Sequence, residues 1–218
     1  MKDYAVARRR MVREQLADAG LTDRRVLAAM EEVPRHLFVP KLLQHRAHQP
    51  SALPIGHGQT ISKPFTVGLM TSLLELQGHE HVLEVGTGSG YQAAILARLA
   101  RSVISVERVR PLAEQSRVTL AKLGVENINV LAHDGAEGAL DHAPYDAIMV
   151  TACAPSLPTN LVSQLKDGGH LLIPISKGSD QTLYRYRRQG DEVSIEESVS
   201  CRFVPLLSGV TAEGEQRA

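Results

Sequence analysis

The sequence predicts an α/β fold, with a mostly parallel seven-stranded sheet, helices on both faces and a helical extension at the N-terminus. Three observations predict it. Short apolar runs at 81–85, 102–106, 128–132, 147–150 and 170–175 alternate with stretches of helical periodicity. The first run, His81 to Val85, enters the alternating glycines Gly86, Gly88 and Gly90, and a helical pattern with Ile95, Leu96 and Leu99 on one face follows. Beyond 175 the pattern becomes antiparallel alternation over 181–187 and 193–204, joined around Gly190-Asp191. Strand, glycine turn and helix in that order describe the ligand-binding edge of a Rossmann-like sheet.

The 218 residues suit one domain. We expect residues 1–64 to form the helical and loop extension, 65–210 the core, and 211–218 a polar, disordered tail. A chain of this length buries roughly 70% of its unfolded surface, so it needs no disulfide. Cys153 and Cys201, each in apolar surroundings, read as buried free thiols of a reducing compartment. Lys+Arg and Asp+Glu both total 24, which gives no bulk field for nucleic acid or anionic lipid. Arg8-Arg9-Arg10 leads into Met11-Val12-Arg13-Glu14, which is no signal peptide, and no run has membrane-spanning length. The expectation is a cytoplasmic monomer with neither nucleic-acid nor membrane partners.

Taking the elements in order, residues 3–19 predict a helix on Val12, Leu16 and Ala19, ended by Gly20. Thr22 or Asp23 caps a second helix carrying Val26, Ala29 and Met30, and Pro34 stops it. From 45 to 64 the prolines and glycines predict loop. Within it lies Gly58-Gln59-Thr60-Ile61-Ser62, a hydroxyl-rich stretch where a substrate group could be gripped. Ser62 has a second reading as the cap of a helix with Pro64 in its first turn and an apolar stripe of Phe65, Leu69, Met70, Leu73 and Leu74. Pro111 and Gly124 bound the helix after the second sheet strand.

Glycines are required where backbone turns sharply against a ligand, and the amides opening the next helix then face it. A dinucleotide fingerprint reads G-x-G-x-x-G; here the third glycine comes one residue early, and Glu84 precedes the first by two. An acid beside a pyrophosphate cradle repels, whereas S-adenosylmethionine carries a sulfonium and an ammonium and no phosphate. Glu107 ends the second strand, where an acid suits the hydroxyls of a ribose. Asp134, followed by Gly135, ends the third, where an acid suits an adenine amino group. Three carboxylates on one rim therefore favour a cationic cofactor. The histidines lack a third ligand at metal-binding spacing. A nicotinamide oxidoreductase, a non-catalytic binding module and a methyltransferase acting on RNA or small molecules are the competing classes.

Longer motifs carry a resemblance that runs from about Met11 to Leu207: Val33-Pro34-Arg35-x-x-Phe38-Val39-Pro40, Leu53-Pro54-Ile55-Gly56-x-Gly58-Gln59-Thr60-Ile61-Ser62-x-Pro64, and the glycine turn extended through Tyr91-Gln92-Ala93-Ala94. Further along stand Asp134-Gly135-x-x-Gly138, Ala143-Pro144-Tyr145-Asp146, Ala154-Pro155 and Arg202-Phe203-Val204-Pro205-Leu206. In these the chain resembles the protein-L-isoaspartate (D-aspartate) O-methyltransferase family. One departure is His48-Gln49, where the family usually has an aromatic and an acid. The resemblance implies an S-adenosylmethionine-dependent methyltransferase fold and Ser62 as the active-site serine. It also implies methyl esterification of the free α-carboxylate of isoaspartyl residues in damaged proteins and peptides, followed by repair through a succinimide. The expected substrate contacts are Thr60, Ile61 and Ser62; the expected cofactor contacts are Glu84, Gly86, Gly88, Gly90, Glu107, Asp134 and Gly135.

Overall fold

A computed structural model describes residues 4–212. The N-terminal extension begins with α1 (Ala5–Val12), continued by one π-helical turn to Ala17, and Gly20 ends it at φ +96°. Asp23, not Thr22, caps α2 (Arg24–Glu32): its carboxylate accepts the Arg25 and Val26 amides at 2.9 and 3.2 Å. The stretch predicted as loop contains a small hairpin, β1 (Leu53–Gly56) paired antiparallel with β2 (Gln59–Ile61), turning at His57-Gly58. Three residues of β2 are too few to show a period in sequence. Then comes α3 (Pro64–Leu73), which buries Val67, Gly68, Met70 and Thr71 and leaves Phe65 exposed. The predicted stripe was therefore rotated, because Gly68 lets the helix approach Leu16 and Leu21 of the extension.

The core follows as β3 (His81–Val85), α4 (Tyr91–Leu99), β4 (Ser102–Glu107), α5 (Arg110–Lys122), β5 (Ile128–Ala132), β6 (Tyr145–Val150), α6 (Thr159–Ser163), β7 (Leu165–Lys177), β8 (Asp180–Gln189) and β9 (Glu192–Ser200). The sheet order is β5-β4-β3-β6-β7-β8-β9, parallel through β7 and antiparallel for the last two strands. This supplies the seven strands expected and the order of the last pair, which the periodicity left open. Alternation sends Val82 and Val103 to the core beneath the extension and α3–α5, while Leu83, Val85, Ile104 and Val106 face the second core on the α6 side.

The direction of winding reverses between β3 and β6, and a crevice opens at the carboxyl ends of strands at such a point. Val85 pairs with both Val106 and Val150, so Gly86, Glu107 and Thr151 stand in register on one rim.

Two boundaries differ from expectation. The last strand ends at Ser200 instead of Val204, and the following segment returns across the sheet, bridging Cys153 through Pro205. Thr211, the expected start of the tail, bridges Val109 and exchanges backbone hydrogen bonds with Arg108 and Arg110. The rest of the tail from 213 lies outside the described residues. Both cysteines are free, Cys153 buried and Cys201 only half-buried, its thiol pushed up to about 11 chiefly by burial. Among the described residues no helix is long and apolar enough to cross a membrane.

Asp23→Ala leaves two α2 amides without their acceptor. It is expected to cost about 1 kcal/mol in urea denaturation while leaving the sheet-edge crevice unaltered.

Candidate functional site

The crevice at this rim is open to solvent on one side. One wall is Gln59 to Ser62 of β2 and its exit; the floor is the glycine turn with Val85 and Thr151; Val204 to Leu207 of the returning segment close another side. Lys63 is the N-cap of α3 and no side chain caps that helix, so the Ser62 hydroxyl is not engaged as a cap. Thr60, Ile61 and Ser62 all line the crevice, Thr60 exposed and Ile61 with its side chain buried in the core.

The glycines divide the work. At Gly86 φ is +96°, and a Cβ would meet the Thr151 hydroxyl at 2.4 Å, so only glycine lets backbone form the crevice floor there. Gly88 and Gly135 also line the crevice. Gly90 does not: it is the left-handed N-cap of α4, packed against Ser116 and Leu120 of α5.

The acids divide likewise, and the expectation of three carboxylates on one rim is corrected to one. Glu107, the last residue of its strand, lines the crevice; it accepts the Gly88 amide at 2.8 Å on one oxygen and the Val109 amide at 2.9 Å on the other. Each oxygen keeps a lone pair for a ligand hydroxyl. Burial pushes its pKa up, opposed by those two amides.

Glu84 lies two residues short of the turn, inside β3, and alternation turns its side chain into the core beside Val82. It is fully buried and does not line the crevice. Burial, opposed by the Ser105 hydroxyl and reinforced by the Glu107 charge, raises its pKa to about 8, so at neutral pH it is mostly a neutral acid. Ser105 Oγ donates to Glu84 at 2.5 Å and lies 2.5 Å from the hydroxyl of Thr87, which lines the crevice.

Asp134 sits two residues past the end of β5, far enough for its carboxylate to fold back into the loop. It accepts the amides of Ala136 and Gly209, and so fastens the returning segment whose Val204–Leu207 form a wall.

Residues to which the sequence assigned no contact complete the site. Thr151 donates its hydroxyl to the carbonyls of Gly86 and Val85 at 2.7 and 3.0 Å, fixing the turn from the neighbouring strand. Its signal was its place at a parallel strand end. Tyr91 and Gln92 line the crevice from the first turn of α4. The floor that only glycine can make, the single oriented acid and the absence of any Lys or Arg but Arg108 from the lining suit a cationic nucleoside better than a pyrophosphate.

Glu84 also makes stability depend on pH. In the unfolded chain it ionises near 4.5, in the fold near 8, so between those values the folded state holds the extra proton and stability falls as pH rises. Glu84→Gln removes that titration and is expected to lose less stability than the parent chain between pH 5 and 9 in urea denaturation. Superimposable pH profiles would show an ionised Glu84.

Comparison with known proteins places this geometry. Residues 7–211 match the family model of protein-L-isoaspartate(D-aspartate) O-methyltransferase (PCMT). The chain is 51% identical over 216 residues to protein-L-isoaspartate O-methyltransferase 2 of Geotalea uraniireducens, spanning 99% of this chain and all of the relative. It is 50% identical over 208 residues to the Trichlorobacter lovleyi enzyme of the same name, 95% of this chain and 96% of that one. Among solved structures, a protein-L-isoaspartate O-methyltransferase superposes with a TM-score of 0.82 at 26% identity, over 94% of this chain and 67% of that one. A Plasmodium falciparum beta-aspartate methyltransferase (PCMT), solved in complex with S-adenosyl-L-homocysteine, superposes at 0.80 and 25% identity over 92% of this chain and 98% of that one. With the family model matching residues 7–211 and relatives about half identical over nearly its whole length, the chain belongs to the protein-L-isoaspartate(D-aspartate) O-methyltransferase family.

Proposed function

We propose that this crevice transfers a methyl group from S-adenosylmethionine to the free α-carboxylate of L-isoaspartyl, and D-aspartyl, residues in damaged proteins and peptides, with Ser62 steering the carboxylate and Glu107 holding the cofactor. The observation that carries the reading is that the Ser62 segment and Glu107, one a hydroxyl free of capping duty and the other an oriented acid, line a single crevice. S-adenosylmethionine supplies a methyl group already activated on a cationic sulfur. The protein's own share is therefore positional. A free carboxylate with a pKa of about 3.5–4 is ionised at neutral pH, so no general base is required. Ser62 donates a hydrogen bond to one carboxylate oxygen and leaves the other directed at the methyl; Thr60 and the amides of β2 assist. Glu107 accepts from the ribose hydroxyls, and the Gly86–Gly88 turn admits the cofactor's body. Closing the crevice with Val204–Leu207 excludes water, which strengthens each of these contacts. Orientation of this kind is worth effective molarities of ~10⁵ M or more. The backbone amide nitrogen of the following peptide residue then attacks the ester carbonyl and expels methanol, closing a succinimide without further help from the chain. The reading extends to a monomer acting in the cytoplasm, whose partners are isoaspartyl proteins.

The test is a methylation assay with paired aspartyl and isoaspartyl peptides of one sequence. Transfer is expected to the isoaspartyl peptide alone, and equal labelling of both would refute the substrate assignment. Ser62→Ala is expected to lower kcat/KM by about 10- to 100-fold, the worth of one hydrogen bond to a charged group, with S-adenosylhomocysteine affinity and melting temperature retained. Glu107→Gln puts an NH₂ against a backbone donor and is expected to weaken S-adenosylhomocysteine binding at least about tenfold in calorimetry.

A further inference from the structure

Among the described residues Arg35 is the largest fully buried side chain, at 0% exposure, and nothing in the reaction so far uses it. It opens the short 3-10 helix Arg35–Phe38 that follows Pro34. Its Nε donates to the carbonyl of Ala47 at 2.8 Å and its Nη2 to the carbonyl of Ser62 at 2.6 Å. These two carbonyls mark the two ends of segment 47–62, which carries the β1–β2 hairpin and the Ser62 wall of the crevice. The guanidinium carbon lies 4.8 Å from the centre of the Tyr91 ring, and Phe38, three residues on, meets the same ring edge-on at 5.5 Å. Tyr91 opens α4 and lines the crevice as well. One side chain thus joins both ends of the substrate segment to the helix that follows the glycine turn.

Arginine is the residue this requires. Its planar fork presents donors in divergent directions from one rigid group and stacks on an aromatic face, whereas lysine is a point charge on a flexible stem. Burying a guanidinium is costly unless it is compensated, and here no carboxylate pairs with it among the described residues. Two carbonyls and the Tyr91 ring partner it instead, and its Nη1 is left buried without an acceptor. The Ser62 carbonyl that it holds belongs to a residue of the crevice wall.

We propose that Arg35 is a positioning residue for methyl transfer, clamping the two ends of segment 47–62 against Tyr91 so that Ser62 is held at a fixed distance from the cofactor floor. The proposal rests on the substrate reading above.

Arg35→Lys keeps the charge and loses the fork. Hydrogen–deuterium exchange is expected to show faster exchange at 53–61 in the variant, with β3 and α4 unchanged. Kinetics with an isoaspartyl peptide are expected to show kcat/KM reduced about 100-fold while S-adenosylhomocysteine affinity stays within about threefold. A folded variant with unchanged exchange at 53–61 and unchanged kcat/KM would overturn the proposal. So would one whose S-adenosylhomocysteine affinity falls in step with its peptide kinetics, since that is what general loosening produces. If Arg35→Lys does not fold, the parent chain carries the test by NMR: the Arg35 Nε–H is expected to exchange slowly with solvent, and rapid exchange would exclude the clamp. The exchange measurements need no turnover, so a parent chain that fails to methylate the isoaspartyl peptide would remove the substrate reading and still leave the clamp decided on its own terms.

Discussion

The in-register parallel pairing of β3 with β4 and with β6 is the constraint from which the site follows. Because Val85 stands level with both Val106 and Val150, the next residue along each of the three strands emerges on one rim: a glycine, a glutamate and a threonine. Each then has a partner within reach. The Gly88 amide finds Glu107, and the Thr151 hydroxyl finds the Gly86 carbonyl. A slip of one residue would invert every side chain of the moved strand, send Glu107 to the opposite face, and place Val106 where the acid now stands. The glycine turn is thus held by its neighbours and does not shape the crevice by itself.

Position along a strand, more than residue type, decides what a carboxylate does here. Glu84, Glu107 and Asp134 sit respectively two residues before a turn, at the last strand residue, and two residues after a strand. The first is swallowed by the core and kept mostly neutral at pH 7, the second faces the crevice, and the third staples a loop. Glu84 still reaches the site indirectly, through the hydroxyls of Ser105 and Thr87. When its carboxylate is ionised it can only accept, which fixes the direction of donation along that chain of hydroxyls.

Much of this architecture was legible in the sequence because period-2 alternation and glycine punctuation are local signals. Five parallel strands, their helices and the antiparallel pair stand where alternation placed them, to within a few residues at most ends. What was not legible is non-local. The β1–β2 hairpin is too short to show a period, and its stability comes from Leu53, Ile55 and Ile61 in the core and from Arg35 behind it. The stretch from Cys201 to Val204 read as the end of the last strand, since the pairing of the returning segment with Cys153 depends on a residue some fifty positions away. At the unusual His48, the ring packs within 5.7 Å of Tyr4 and 6.1 Å of His36, and its carbonyl accepts from Gln15. Burial and neighbouring cations push it down to about 4, so a neutral imidazole fills the place of an aromatic without bringing a charge.

A methyl transfer from a cation to an anion sets a problem that neither ligand alone poses, since a pocket uniformly attractive to one repels the other. This chain separates the two fields. The acid serving the cofactor belongs to the sheet edge, at Glu107, and a second acid that would strengthen it, Glu84, is withdrawn and mostly protonated. Arg35, which holds the Ser62 carbonyl from behind the hairpin, belongs to the extension, and among the described residues no carboxylate pairs with it. Arg35 on Tyr91 is the contact across which the two halves are fixed in distance. That division accounts for the extension itself. The sheet edge presents the acid suited to a nucleoside, and the extension adds the hairpin wall whose Ser62 hydroxyl suits a carboxylate.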